Sequence, residues 1–146
     1  GSDGAGYDRL IVKNSGARES KLETSAHPGS LEMYGSDVFL FTMREVPKCV
    51  YELLKNTDYT LDDINLIVFH QASKIVIDNL IRVMKLDESK VFTNFENIGN
   101  TVSASIPIAL KDADSQGYLS EGDVVLSVGF GVGLSWGATL IHWSNS

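Results

Sequence analysis

His70 and Asn100 are the two residues whose types and positions most favour chemistry. His70 follows the apolar run Leu66–Phe69, and an imidazole displayed at the end of a buried strand can transfer protons or donate hydrogen bonds near neutral pH. A partly buried structural histidine is the equally weighted alternative. Asn100 stands in a Gly-Asn turn that precedes a helical pattern, and turn statistics alone favour a structural role for it.

The other reactive side chains give weaker signals. Cys49 is the single cysteine, but it falls on an apolar helical face, which favours a buried and inert thiol. His27 lies in a polar segment and His142 in a final strand, so both are interpreted as structural or solvated. No cysteine or second histidine stands at ligand spacing from His70, and we therefore expect no metal site.

Alternating glycines follow the last long apolar run. Gly129, Gly131 and Gly133 resemble part of a dinucleotide-binding loop, but a strand pattern follows them where that fingerprint needs a helix. Nucleotide binding is therefore rejected. A close backbone approach at the floor of an active site is the functional interpretation, and a simple hairpin turn is the structural one.

Strands and helices alternate along the chain in a way that positions these residues. The alternation is typical of an α/β sheet with helices on both faces, and a final hairpin makes the sheet mixed. Ligands of such sheets bind at the carboxyl ends of strands, so we expect His70 and the Asn100 turn at the same end. The predicted strands cover residues 10–12, 66–69, 91–92, 123–130 and 135–142, and the predicted helices begin near Ser36, after Ser73 and near Thr101.

Local signals predict where these elements begin and break. Thr101 and Ser103 are expected to cap the helix after the Gly-Asn turn, and Ser36 is expected to cap an earlier helix. Pro47 should kink or split that earlier helix, because proline removes an amide donor from the helix interior. Residues 20–35 are polar, so we predict a loop there that is long enough to be functional.

The composition indicates one globular domain over residues 1–146, with 43% hydrophobic and 21% charged residues. The net charge of −7 argues against nucleic acid or an anionic membrane as the main partner. A single cysteine excludes an internal disulfide, and neither a signal peptide nor an apolar run of about 18 residues is present, so a soluble, cytoplasmic protein is expected. The start at Gly1–Gly4 fits either a vector-derived end or the interior of a longer protein.

Three motifs in register carry a specific resemblance. They are HQA at 70–72, GNT with SASIP at 99–107, and GFGVGLSWGA at 129–138. In this order and spacing the chain closely resembles the C-terminal half of β-ketoacyl-acyl-carrier-protein synthase III, a condensing enzyme of the thiolase fold. The resemblance implies a thiolase-like half with a five-stranded mixed sheet, and a catalytic N-terminal half that this chain does not contain. It also implies a homodimer for the full-length protein.

The resemblance implies that His70 and Asn100 belong to a Cys-His-Asn catalytic set whose cysteine lies in the N-terminal half; Cys49 does not match it. In the family, malonyl carried on acyl carrier protein loses carbon dioxide in fatty acid biosynthesis. Two neutral N–H donors then stabilise the enolate oxygen. The carbanion attacks an acyl group on the cysteine. The substrates are thioesters of coenzyme A or of the carrier's phosphopantetheine, no other cofactor is implied, and the isolated chain is expected to be inactive.

The chain departs from the family pattern near the implied substrate site. Ser73 stands where the family usually has asparagine, and Val132 stands where glycine is commoner. Ser73 and the segment of Gly131, Val132 and Gly133 are the implied substrate-binding residues. The valine should narrow the floor of the site and change the choice of acyl chain.

A further departure concerns the carrier protein. Ile75 stands where the family usually has a basic residue linked to docking of the acidic carrier. Lys74, Arg82 and Lys85 can share the outer surface of the same helix and form a displaced basic patch. An ordinary solvated helix face is the alternative.

Two other functions remain open. One is a non-catalytic thiolase-like module that binds a carrier, an acyl ligand or a partner subunit, which Ser73 and Ile75 support. The other is a synthase of the same fold that uses coenzyme A thioesters. The expected partners are acyl carrier protein, acyl-coenzyme A and the N-terminal half of the same enzyme, with no nucleic acid and no membrane.

Overall fold

The computed structural model describes residues 1–13 and 30–144. Single turns of 3-10 helix lie at Gly4–Gly6, Leu61–Asp63, Glu88–Lys90 and Val102–Ala104. The strands are β1 (Leu10–Val12), β2 (Leu31–Met33), β3 (Leu66–Phe69), β4 (Val124–Gly131) and β5 (Ser135–His142). The helices are α1 (Gly35–Lys55), α2 (Lys74–Met84), α3 (Phe95–Ile98) and α4 (Ser105–Ser115).

The central sheet is mixed, as the alternation of elements predicts. β3 pairs in parallel with β4, and β4 pairs antiparallel with β5. Single bridges extend the sheet on both sides, from Ile67 to Val91 and from Ser135 to Ser2. Of the five predicted strands, three form the full strands of this sheet and the one at 91–92 forms a single bridge; the bridge at Ser2 was not predicted. The predicted strand at 91–92 is short because the chain turns away after Phe92, whose N–H donates to the Ile67 carbonyl at 3.0 Å.

The predicted strand at 10–12 forms, but it lies in a different sheet. β1 pairs antiparallel with β2, and the two make a separate two-stranded sheet. β2 also corrects the predicted loop over residues 20–35, since Leu31–Met33 pair with β1. The rest of that loop between residues 20 and 29, with His27, lies outside the described residues.

Helices cover both faces of the central sheet. All four residues of β3 are buried, and successive side chains of a strand point to opposite faces. Ile67 and Phe69 belong to a core cluster that includes buried residues of α1 and α2, whereas Leu66 and Val68 pack with the α4 residues Ala109 and Ala113. Burial of each large apolar side chain contributes about 1.5 to 3 kcal/mol. The predicted α/β layering is confirmed.

α1 is a single helix of 21 residues that runs through Pro47 without a break. The predicted split is therefore wrong. Val46, Pro47 and Val50 are all buried on the side of α1 that faces the core, and this packing offsets the cost of about 3 kcal/mol that an interior proline imposes. Ser36 does not cap α1, because the helix already begins at Gly35 and Tyr34 holds the cap position without a side-chain hydrogen bond.

None of the helices in residues 1–13 and 30–144 combines the length and the apolar character that crossing a membrane requires. The same residues contain no cluster of three or more histidine, cysteine, aspartate or glutamate side chains that could hold a metal ion.

Candidate active site

His70 lies at the carboxyl end of β3, where the strand is still paired. Its backbone N–H donates to the Val128 carbonyl of β4 at 2.8 Å, so the sheet ladder fixes the position of its Cα. The half-buried imidazole has its Nδ1 atom 2.6 Å from Ser105 Oγ. It also packs edge-on against the Phe130 ring, with centroids 5.3 Å apart and an interplanar angle of 78°. Burial lowers the pKa of His70 below the ordinary value of 6.5, so the ring is neutral near pH 7.

Gln71 connects the end of β3 to the segment that leads to Asn100. Its fully buried amide group donates to the Phe69 carbonyl at 2.8 Å and to the Phe92 carbonyl at 3.4 Å, and its oxygen accepts from the Asn94 backbone N–H at 3.0 Å. Asn94 in turn donates to Asp112 of α4 at 2.7 Å. Because buried polar groups are costly unless paired, this network holds the two segments in one arrangement.

Asn100 is exposed in the loop between α3 and α4. Its Oδ1 atom accepts the Val102 backbone N–H at 2.9 Å, and Gly99 and Val102 on either side have φ of 68° and 56°. The amide oxygen is therefore engaged within the loop, and Nδ2 makes no hydrogen bond to any residue that the structure describes. The predicted caps at Thr101 and Ser103 are wrong, since α4 begins without a side-chain cap and Asn100 itself satisfies a nearby amide.

Ser105 brings the two predicted residues to the same end of the sheet. It is the first residue of α4, five positions after Asn100, and its hydroxyl contacts the His70 ring. Within residues 1–13 and 30–144, His70 and Asn100 form no direct hydrogen bond with each other. The arrangement presents one ring nitrogen of His70, Nε2, and the amide nitrogen of Asn100 as the unengaged polar atoms of the pair.

The glycine-containing segment between β4 and β5 is at this end too, because β3 and β4 are parallel. Its antiparallel hairpin confirms the predicted pairing of β4 with β5. Gly133 has φ of 139°, and a Cβ there would approach the Ser135 nitrogen to 3.0 Å, so the backbone of this turn excludes a side chain. Val132 is exposed, and its carbonyl accepts the Ser135 hydroxyl at 2.6 Å. Gly131 has open space at its missing Cβ.

Ser73 has a structural role that does not depend on substrate. It is the residue that precedes α2, and its hydroxyl accepts the Val76 backbone N–H at 3.4 Å. This contact caps the helix that starts four residues after His70 and so fixes the direction in which α2 leaves the site.

Lys74 and Arg82 of α2, and Lys85 directly after it, are all exposed. Lys74 pairs with Asp78 at 3.1 Å, and that hydrogen bond raises the pKa of the Lys74 ammonium. Arg82 donates to Asn79 at 2.6 Å, while Lys85 ends the helix in a left-handed conformation. Ile75 is 69% exposed on the same outer surface. The outer surface of α2 therefore combines basic, acidic and apolar side chains and is not purely basic.

Two contacts of His70 were missed from the sequence. Ser105 and Phe130 lie 35 and 60 positions further along the chain, and neither spacing belongs to a local pattern. In the sequence, the only indication of either residue was that Ser105 belongs to the second motif and Phe130 to the third. Cys49 is half-buried on α1, so the expectation of a buried thiol is only partly met.

The chain matches a known family over most of its length. Residues 54–143 match the family model for 3-oxoacyl-[acyl-carrier-protein (ACP)] synthase III C terminal. β-Ketoacyl-[acyl-carrier-protein] synthase III of Clostridioides difficile is 40% identical over 146 residues, which cover 99% of this chain and 44% of that protein. The protein of the same name from Clostridium tetani is 38% identical, covering 98% of this chain and 46% of its own length.

Solved structures agree with the sequence matches. The crystal structure of β-ketoacyl-[acyl carrier protein] synthase III from Thermus thermophilus has a TM-score of 0.88 at 35% identity, covering 100% of this chain and 45% of that one. A second 3-oxoacyl-(acyl-carrier-protein) synthase III has a TM-score of 0.93 at 35% identity, with coverages of 98% and 46%. The chain thus spans a little less than half the length of these proteins, and the resemblance and the thiolase-like fold class are both confirmed. It belongs to the family of 3-oxoacyl-[acyl-carrier-protein] synthase III C-terminal domains.

Proposed function

We propose that this chain is the C-terminal domain of a 3-oxoacyl-[acyl-carrier-protein] synthase III that acts in fatty acid biosynthesis. In this proposal the domain supplies His70 and Asn100 for the decarboxylative condensation of a malonyl thioester with an acyl thioester. The observation that carries the proposal is the half-buried, neutral imidazole at the carboxyl end of β3, which contacts Ser105, together with the NH2 group of Asn100 in the loop just before Ser105. The family match supports the same assignment.

The chemistry requires stabilisation of developing negative charge. When the malonyl group loses carbon dioxide, the electron pair of the breaking carbon–carbon bond moves toward the thioester carbonyl and places negative charge on its oxygen. Nε2–H of His70 and Nδ2–H of Asn100 would donate to that oxygen. One such donor typically lowers the barrier by about 3 to 4 kcal/mol in a site that excludes water. A neutral ring suits this role because it donates a hydrogen bond without transferring its proton.

The second half of the reaction needs residues that this chain lacks. The carbanion formed from the malonyl group would attack the carbonyl of an acyl group held on a cysteine of an N-terminal half; a carbon–carbon bond would form, the carbon–sulfur bond would break, and the cysteine would leave as a thiolate. More than half of each relative's length lies outside the aligned region, which leaves room for such a half. Assembly with that half, and a homodimer of the complete protein, are part of the proposal.

In this proposal the substrate would reach His70 along the segment of Gly131, Val132 and Gly133, and Ser73 would be a further substrate contact. We propose thioesters of coenzyme A and of acyl carrier protein as substrates, with no additional cofactor. Lys74, Arg82 and Lys85 would attract the acidic carrier, and the exposed Ile75 would replace an ionic contact with an apolar one. The mixed surface of α2 is compatible with a weak, transient complex.

The decisive experiment measures malonyl decarboxylation by the complete protein. His70→Ala and Asn100→Ala should each lower the rate by about 100-fold or more, because each removes one donor to the enolate oxygen. Asn97→Ala is the matched control, since it removes an exposed asparagine from α3 near the same loop. Wild-type decarboxylation in both site variants would overturn the proposal and would favour the non-catalytic binding module.

A further inference from the structure

We propose that Ser105 is a positioning residue that holds the neutral His70 ring in the tautomer with its proton on Nε2. The tautomer follows from contacts within the domain, whereas its catalytic consequence rests on the proposed function. Ser105 is only 1% exposed, so water does not satisfy its hydroxyl. The direction of its hydrogen bonds is therefore set by protein groups.

The Ser105 hydroxyl has two neighbours that differ in what they can donate. The backbone N–H of Gln71 points at its oxygen from 3.4 Å and can only donate. His70 Nδ1, at 2.6 Å, is the one group among its hydrogen-bond partners in the described residues that can accept a proton. The Ser105 O–H therefore donates to Nδ1. A ring whose Nδ1 accepts a hydrogen bond must carry its proton on Nε2.

The opposite tautomer leaves a polar group without a partner. If Nδ1 carried the proton, the Ser105 oxygen would receive two N–H donors, and its own buried O–H would face no acceptor. An unsatisfied buried donor is unfavourable enough to shift a tautomer ratio by roughly tenfold or more. The hydroxyl thus selects the ring form that presents Nε2–H to the open side of the site.

Loss of the Ser105 hydroxyl should change the tautomer of the His70 ring but leave the ring in place. In Ser105→Ala, Nδ1 has no donor and nothing selects the Nε2–H form, so both tautomers should be populated. In the complete protein, decarboxylation should then fall by about twofold, because roughly half of the population presents the donor. The KM for the malonyl thioester should change little, since the ring itself remains in place.

NMR of the 146-residue chain tests the inference directly, through the chemical shifts of the two His70 ring nitrogens at a pH where the ring is neutral. The wild-type chain should show a protonated Nε2 and an unprotonated Nδ1. Ser105→Ala should move both shifts toward an average of the two tautomers. Ser105→Cys, which keeps the size of the side chain and a weaker donor, should fall between them.

Ser103→Ala is the matched control, because it removes an exposed hydroxyl two residues earlier and should leave the shifts unchanged. A protonated Nδ1 in the wild-type chain would overturn the inference, and this measurement needs no variant to fold. Unchanged shifts in Ser105→Ala would also overturn it. If the shifts move as expected while His70→Ala retains normal decarboxylation, the positioning role stands and the proposed function fails.

Discussion

The side-chain oxygen of Asn100 accepts the backbone N–H of Val102 at 2.9 Å, and this contact determines which end of the Asn100 amide is left for other partners. An amide that accepts with its oxygen inside the loop keeps its NH2 group for a ligand. The Ser105 hydroxyl has the equivalent effect on His70. Each of the two proposed donors is thus oriented by one hydrogen bond: Asn100 by the Val102 N–H of its own loop, and His70 by the Ser105 hydroxyl at the start of α4.

Asn100→Asp should distinguish the accepting role of the side-chain oxygen from the donating role of the NH2 group. The carboxylate can still accept the Val102 N–H, so the loop should keep its conformation, but the NH2 donor is lost and a negative charge appears beside the proposed enolate. We expect malonyl decarboxylation by the complete protein to fall by about 1000-fold. Asn97→Asp makes the same chemical change at an exposed position and should retain activity. Equal activity of the two variants would contradict the proposed role of Asn100.

Val102→Gly should stabilise the domain. A β-branched residue at φ of 56° is strained by about 1 to 2 kcal/mol, and glycine adopts this conformation freely. After the larger conformational entropy of glycine in the unfolded chain is subtracted, we expect a gain of up to about 1 kcal/mol in the free energy of unfolding. Denaturant titration measures it. Val83→Gly, an exposed site within α2, should instead lose about 1 kcal/mol, and a loss at both positions would argue against strain at Val102.

Stability should depend on pH through His70. Because burial lowers the pKa of the folded ring below 6.5, the unfolded chain takes up this proton at a higher pH than the folded chain does. The free energy of unfolding should therefore decrease as the pH falls from about 6.5 through the lowered pKa, and this contribution should be constant above that range. His70→Gln should remove the contribution, whereas His142→Gln, at an exposed position, should preserve it. Identical pH profiles for wild type and His70→Gln would refute the assignment.

Gln71→Glu should be strongly destabilising. The added carboxylate oxygen would replace the NH2 group that donates to the Phe69 and Phe92 carbonyls. The two buried carbonyl oxygens would then face a carboxylate oxygen, which also can only accept a hydrogen bond. We expect a loss of about 3 kcal/mol or more, or uptake of a proton by the buried acid. Gln116→Glu, at the exposed end of α4, is the control and should change stability by less than about 0.5 kcal/mol. Thermal unfolding of both variants would test the network.

Neutralising the basic residues of α2 should weaken binding of acyl carrier protein. In the complete protein, glutamine at Lys74, Arg82 and Lys85 should raise the Kd and reduce its dependence on salt, because exposed charges act over a Debye length of about 10 Å at 0.1 M salt. A second triple variant with glutamine at Lys48, Lys55 and Lys111 changes the net charge equally on α1 and α4. If both triple variants bind the carrier alike, only net charge matters and the proposed patch is rejected.

Local patterns in the sequence were sufficient to predict the elements that carry the site. Four consecutive apolar residues predicted β3, and the glycine spacing predicted a turn between β4 and β5. Features that depend on distant partners could not be predicted in this way. Pro47 remains within an unbroken helix because the core packs around it. Thr101 does not cap α4 because a 3-10 turn at Val102–Ala104 separates it from the helix start at Ser105. The contact between Ser105 and His70 joins two separate motifs, so it became visible only in three dimensions.

The parallel pairing of β3 with β4 also has a consequence for folding kinetics. Val124 N–H binds the Asn65 side chain across 59 residues of sequence, and the His70 backbone binds Val128 across a similar span. Contacts of this length close large chain loops and form slowly compared with helices and hairpins. α2 and the β4–β5 hairpin can therefore form early from local contacts. The imidazole reaches its place only after the long-range strand pair has closed, so the reactive end of the sheet should be organised late in folding.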